Sequence, residues 1–82
     1  MNWVFCTGRH KGNLYLSLRT NNPNAQAGEV LRDIVPNRNQ AGGHGPIAGG
    51  RCRVDVTATV EAWVELEQSL QTRLAKRLPE RR

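Results

Sequence analysis

Acids, cysteines and aromatics are all scarce in this chain, and each scarcity removes a class of activity. Seven acidic residues stand against twelve lysines and arginines among 82 residues, and only Asp33 and Asp55 are aspartates. A two-metal hydrolytic site needs several carboxylate or histidine ligands around ions ~3.5–4 Å apart. The chain is poorly equipped for one, and Glu61, Glu65 and Glu67 read as the wet side of an amphipathic segment. The cysteines, Cys6 and Cys52, cannot build a disulfide framework. Both lie in strand-like apolar patterns, where a thiol is expected to be a small, buried and inert core group. With His10 and His44 they offer zinc-ligand types, but without Cys-x-x-Cys or paired-histidine spacing. Four aromatics, Trp3, Phe5, Tyr15 and Trp63, limit any base-stacking platform. No apolar run approaches the ~18 residues of a membrane span, and no signal-peptide pattern opens the chain. A soluble cytoplasmic protein is expected, with no membrane partner.

What is present is positive charge. A formal charge of +5 and a pI near 10.3 favour polyanionic partners such as nucleic acid or nucleotides. Part of that charge, Arg73, Lys76, Arg77, Arg81 and Arg82, falls where it suits a helix C-terminus. Eighty-two residues make one domain with a thin core, since so short a chain buries only ~60–65% of its unfolded surface.

Trp3–Thr7 is aromatic and β-branched and predicts a strand. Leu14–Arg19 alternates strictly, with Leu14, Leu16 and Leu18 on one face and Tyr15, Ser17 and Arg19 on the other. The short Arg9–Asn13 connection, with glycine at its turn, predicts an antiparallel hairpin. Asn22 followed by Pro23 fits an N-cap and first helical position, so a helix is expected over 23–35, ending before Pro36. Arg51–Val56 alternates again with Cys52, Val54 and Val56 inward, and a short edge strand near 37–41 completes the sheet. From Thr59 to about Leu78 a long helix carries the stripe Trp63, Leu66, Leu70, Leu74 and Leu78, with a frayed tail at 79–82. The class expected is a small α/β layer, a mixed sheet with two main helices packed against it.

Between the elements lies Ala41–Gly50, which holds five of the eight glycines and His44. Read as an ordered loop with a helical turn at Pro46–Ala48, it would let successive N–H groups converge on an anion. Arg19 would add a planar fork suited to phosphate, and Ser17 or Thr20 a hydroxyl. The candidate phosphate-binding set is therefore Arg19, Gly42, Gly43, His44, Ser17 and Thr20, with no catalytic or metal-ligating residue. A flexible linker is the plainer reading of such glycine density. Other readings are a stand-alone basic nucleic-acid-binding module, or a structural domain dimerising through the Trp63–Leu78 stripe.

Gly8–Thr20 with its Ser17-Leu18-Arg19 strand, then Ala25, Ala27 and Gly28, then Ala41-Gly42-Gly43-His44 and Ala48-Gly49-Gly50, resemble the DHHA1 domain. This is the carboxy-terminal module of DHH-family phosphoesterases, which include the RecJ exonuclease, oligoribonuclease and pAp-phosphatase proteins, and exopolyphosphatase-related proteins. The resemblance runs from about Trp3 to Val56. It implies a DHHA1-like fold, an upstream DHH catalytic domain carrying manganese, and a role here in holding single-stranded nucleic acid, an oligonucleotide or a pAp-type nucleotide. By that likeness Gly42, Gly43 and His44 would meet phosphate or base and Arg19 would pair with phosphate. The family motif is often Gly-Gly-Gly-His, and Ala41 in its first position narrows the backbone freedom there. On this reading the 82 residues are expected to belong to a longer hydrolase, and self-association is an open expectation.

Overall fold

Three leucines on alternate positions of one strand fix which side of the sheet is dry. The computed structural model of the chain describes residues 2–55 and 57–78. Two strands, β1 (Trp3–His10) and β2 (Asn13–Thr20), form the expected antiparallel hairpin, pairing Trp3 with Thr20 through His10 with Asn13. Its two-residue turn places Lys11 at φ 47 and Gly12 at φ 77, the positive values that a tight turn between twisted strands requires. Leu14, Leu16 and Leu18 are all 5% exposed or less.

Helix α1 (Ala27–Ile34) is shorter than the 23–35 expected. Asn22 does not cap it. The Asn22 side-chain oxygen accepts from the Asn24 N–H at 3.1 Å, and its carbonyl accepts from the Ala25 N–H. These local bonds offer the chain a turn in place of a helix. The helix begins where the Ala27 N–H donates instead to the Gly45 carbonyl at 2.8 Å. Val30, Leu31 and Ile34 then enter the core and Pro36 follows the last turn.

A 3-10 turn at Arg38–Gln40 leads into β3 (Ala41–His44) and β4 (Ile47–Arg53). The glycine stretch is thus a second hairpin, neither a linker nor a loop containing a helical turn. Gly45 at φ 56 and Pro46 make its two-residue bend, glycine supplying the positive φ and proline a fixed negative one. The expected third strand begins earlier, at Ile47, and ends at Arg53. The inward placement expected of Val56 lies outside the described residues. Strand order is β1-β2-β4-β3, every pairing antiparallel.

Helix α2 (Val60–Arg77) starts as expected at Thr59, whose hydroxyl accepts from the Ala62 N–H. Its stripe packs on the chain's own core, with Leu70 and Leu74 buried and Trp63, Leu66 and Leu78 half-buried against them. The frayed tail expected at 79–82 lies outside the described residues. Arg73 donates to the Ile34 carbonyl and Arg77 to Asp33, tying α2 to α1. Thr7 and Arg9 donate to Glu67, tying α2 to β1. Both helices therefore cover one face of the four-stranded sheet, the small α/β layer expected. No helix among the described residues is long and apolar enough to cross a membrane.

Cys52 is buried, but Cys6 is exposed, contrary to its expected core position. On β1, Trp3 and Phe5 face the helices and pack on the core, so the pleat sends Cys6 to the other side.

Two stability outcomes follow. A Cβ at Gly28 would stand 2.8 Å from the Gly43 nitrogen and 3.3 Å from its carbonyl oxygen, both backbone atoms. Overpacking such a site costs about 1–3 kcal/mol, so Gly28→Val should lower the melting temperature by roughly 5–15 °C; an unchanged melt would refute the close helix–strand contact. The Arg9 guanidinium, helped by Thr7, holds the Glu67 carboxyl below its ordinary value of 4.5. A lowered folded-state pKa adds stability that is complete above the unfolded value and is lost as pH falls through the folded one. Glu67→Gln should therefore flatten the decline of melting temperature below about pH 5, by the equivalent of less than ~1 kcal/mol because the Arg9 side of the pair stays open to solvent.

Candidate functional site

Among the described residues no helix lies on the second face of the sheet, and the register places its residues in rows across the strands. The first row reads Val4, Arg19, Ile47, His44 from β1 through β2 and β4 to β3. The second reads Cys6, Ser17, Gly49, Gly42, and the third Gly8, Tyr15, Arg51. The last row, beside the first hairpin turn, is His10, Asn13, Arg53. Val4 at 55%, Ile47 at 53% and Tyr15 at 43% are among the most exposed large apolar side chains. Their exposure marks an uncovered surface.

Four of the six expected phosphate-binding residues share this face. Arg19 and His44 are exposed in one row, on either side of Ile47, about 9–10 Å apart at two strand spacings. Ser17 and Gly42 lie one row further on. Gly43 and Thr20 do not join them. Thr20 falls on the helix side in the row of Trp3, and its hydroxyl accepts from the Asn22 N–H. Gly43 pairs with Ala48 in the helix-side row of Leu18, and a Cβ there would come within 2.6 Å of the Ala48 Cα.

The expected concave run of N–H groups does not form. Gly42 and Gly43 lie in a strand that pairs with β4, and Gly28 of α1 is set against the Gly43 nitrogen. Arg32 also lies along this edge and donates to the Ala41 carbonyl at 3.1 Å. The glycines here admit a helix to close range, a role that composition alone does not separate from ligand binding.

Charge is divided between the two faces. Arg9 pairs with Glu67, Arg32 with Glu29, Arg38 with Asp33 and Glu29, and Arg77 with Asp33. The Arg32–Glu29 pair reaches the β3 edge of the open face, where Arg32 Nη2 stands 3.2 Å from the place a Gly42 Cβ would take. The Asp33 carboxyl, bonded by Arg38 and Arg77, lies below its ordinary range. Among the described residues no carboxylate stands in any of the four open rows, which hold Arg19, Arg51, Arg53, His10 and His44. Among those residues, too, no group of three or more histidine, cysteine, aspartate or glutamate side chains could hold a metal.

Arg51 and Arg53 are absent from the expected set, although the alternation that sends Cys52 inward also sends them outward. The alternation of β2 puts Tyr15 on the face of Ser17 and Arg19, as expected. Arg51 donates to the Gln40 side-chain oxygen at 2.6 Å. It borders two depressions, a shallow one with Tyr15, Gly42 and Gly49, and another of about 460 Å3 with Asn13, Asn37, Gln40 and Arg53.

The chain matches no protein-family model, no curated protein and no solved structure.

The uncovered face has a direct chemical reading. A thiol reagent should modify one cysteine, Cys6, in the folded protein and two after denaturation, as counted by mass spectrometry. Modification of Cys52 at the same rate would mean that the helix side is not closed.

Proposed function

We propose that this chain is the substrate-binding module of a DHH-family phosphoesterase. It holds a short single-stranded oligonucleotide or a phosphorylated nucleotide by phosphate against the helix-free face of its sheet. The observation that carries the reading is the row of Arg19, Ile47 and His44, in a face whose four rows hold no carboxylate among the described residues. A guanidinium binds two phosphate oxygens through its planar fork and keeps its charge at any working pH. An imidazole two strands away adds a directed donor. The exposed Ile47 between them removes competing water from the floor of the contact.

The resemblance to the DHHA1 domain agrees with this assignment and adds the catalytic partner. Hydrolysis and its manganese would belong to an upstream DHH domain of the parent chain. On this assignment the module's contribution is to bind and orient the substrate. A reducing cytoplasm suits the two free thiols.

Calorimetric titration with a terminally phosphorylated dinucleotide and with pAp tests the assignment. Arg19→Ala and His44→Ala should each weaken binding about 10-fold or more, the usual effect of removing a charge-assisted hydrogen bond. Thermal melts should stay close to wild type because both side chains are exposed. Equal affinity in all three proteins would end the assignment. A loss only on neutralising Arg81 and Arg82 would favour a stand-alone basic module.

A further inference from the structure

We infer that the open face continues from the Arg19–His44 row into a second subsite, formed by Tyr15, Arg51 and Arg53. The ligand is accordingly a single-stranded oligonucleotide laid along the central strands β2 and β4, rather than a mononucleotide. This rests on the assignment of Arg19 and His44 to a terminal phosphate, and three observations extend it.

The first is the spacing of charge. Arg51 stands four residues along β4 from Ile47, and Arg53 two further, or about 13 Å and 20 Å from the first row at the rise of a strand. At a stacked rise of ~3.4 Å per nucleotide, a dinucleotide held at Arg19 stops short of Arg51, while six nucleotides reach Arg53. The second is the bare ground between the cations. The second row holds cysteine, serine and two glycines, with the Arg32 guanidinium closing its β3 end, 3.2 Å from where a Gly42 Cβ would stand. At Gly49 a Cβ would make only an ordinary 3.7 Å contact with the Leu16 carbonyl oxygen, and at Gly8 it would meet nothing within 4 Å. Packing does not require glycine at either position. Their effect is a trough with a backbone floor, which lets a sugar–phosphate chain approach closely.

The third is the aromatic at the far bank. Tyr15 is 43% exposed, with Gly8 on one side in its row and Arg51 on the other. An exposed ring beside a guanidinium is the pairing that single-strand binders use, stacking for the base and charge for the phosphate. Its tolerance of any base predicts recognition without sequence preference. Two arginines that face no carboxylate among the described residues also favour a polyanion over an apolar protein surface.

A length series on one terminal phosphate tests the subsite separately from the phosphate contact. Fluorescence anisotropy would compare a phosphorylated dinucleotide with the hexanucleotide that shares its end. The hexanucleotide should bind at least 10-fold more tightly. Its dependence of log affinity on log salt should be steeper by about 1.4, since each single-strand phosphate contact contributes about 0.7. Tyr15→Ala and Arg51→Gln should each remove about 10-fold from the hexanucleotide and leave the dinucleotide unchanged. Gly49→Val should remove the gain with length while the melting temperature holds or rises, because valine suits a strand better than glycine. Dinucleotide binding with no gain from length would overturn the subsite alone. Absence of binding at either length would overturn the subsite and the phosphate assignment together. A dimer in sedimentation that buries Cys6 and ignores both oligonucleotides would show the face to be a protein interface, and would overturn both.

Discussion

The strict alternation of β2 is the constraint on which the remaining structure depends. Leu14, Leu16 and Leu18 must be dry, so Asn13, Tyr15, Ser17 and Arg19 must be wet, and no intermediate register exists. A slip of one residue would exchange the two sets and bury a guanidinium in place of a leucine. Because β2 lies between β1 and β4, its choice is passed to both neighbours through the ladder. Cys52 and Ala48 follow the leucines inward, and Arg51, Gly49 and Ile47 follow the polar set outward. Both helices then settle on the face that carries the leucines. The binding face is the remainder of that choice, so fold and candidate site have one cause.

The glycine-rich segment serves the two faces differently. Gly43 must be bare because the β4 backbone is too close for a Cβ, and Gly28 of the helix must be bare to lie against it. Helix α1 therefore covers the outer edge of β3, which shields a strand that would otherwise invite pairing with another chain. Gly49 is bare without any such neighbour. The same residue type in one ten-residue segment thus reports close strand packing at one position and an empty surface at another. Only the geometry of each missing Cβ separates the two.

Much of this was legible from the residues. The Leu14–Leu18 alternation, the stripe on α2 and its cap at Thr59 carry strong periodic or local signals, and they appear where expected. The rest failed for identifiable reasons. Asn22-Pro23 has the chemistry of a helix start, but the asparagine satisfies its own neighbours first, and the helix waits for a carbonyl from a distant turn at Gly45. The Ala41–Gly50 segment lacks the side chains that make strands recognisable, so a hairpin stabilised by its ladder and by a helix on its edge resembled a loop. Cys6 lies in an apolar run whose pleat parity is set only when Trp3 and Phe5 meet the helices. For the site, Arg19 and His44 were found as types, but their shared row depends on β4 entering between β2 and β3. That pairing is a property of topology, which no local pattern contains.

Net charge becomes informative only after the ion pairs are removed from it. A formal +5 spread evenly over a small domain would predict weak attraction to any polyanion and little orientation. Here the described acids lie in the helices and the turn before α2, where Glu29, Asp33 and Glu67 engage four arginines. Those contacts contribute little stability because they are mostly solvated. Their larger effect is to leave the helix side nearly neutral, so that the unmatched arginines of the sheet dominate the field on the opposite side. A phosphate approaching at random would be turned toward the sheet face, with its bare backbone, its exposed ring and, among the described residues, no carboxylate in its rows. On this argument the helix-side salt bridges act on binding from a distance, by determining which face a polyanion meets.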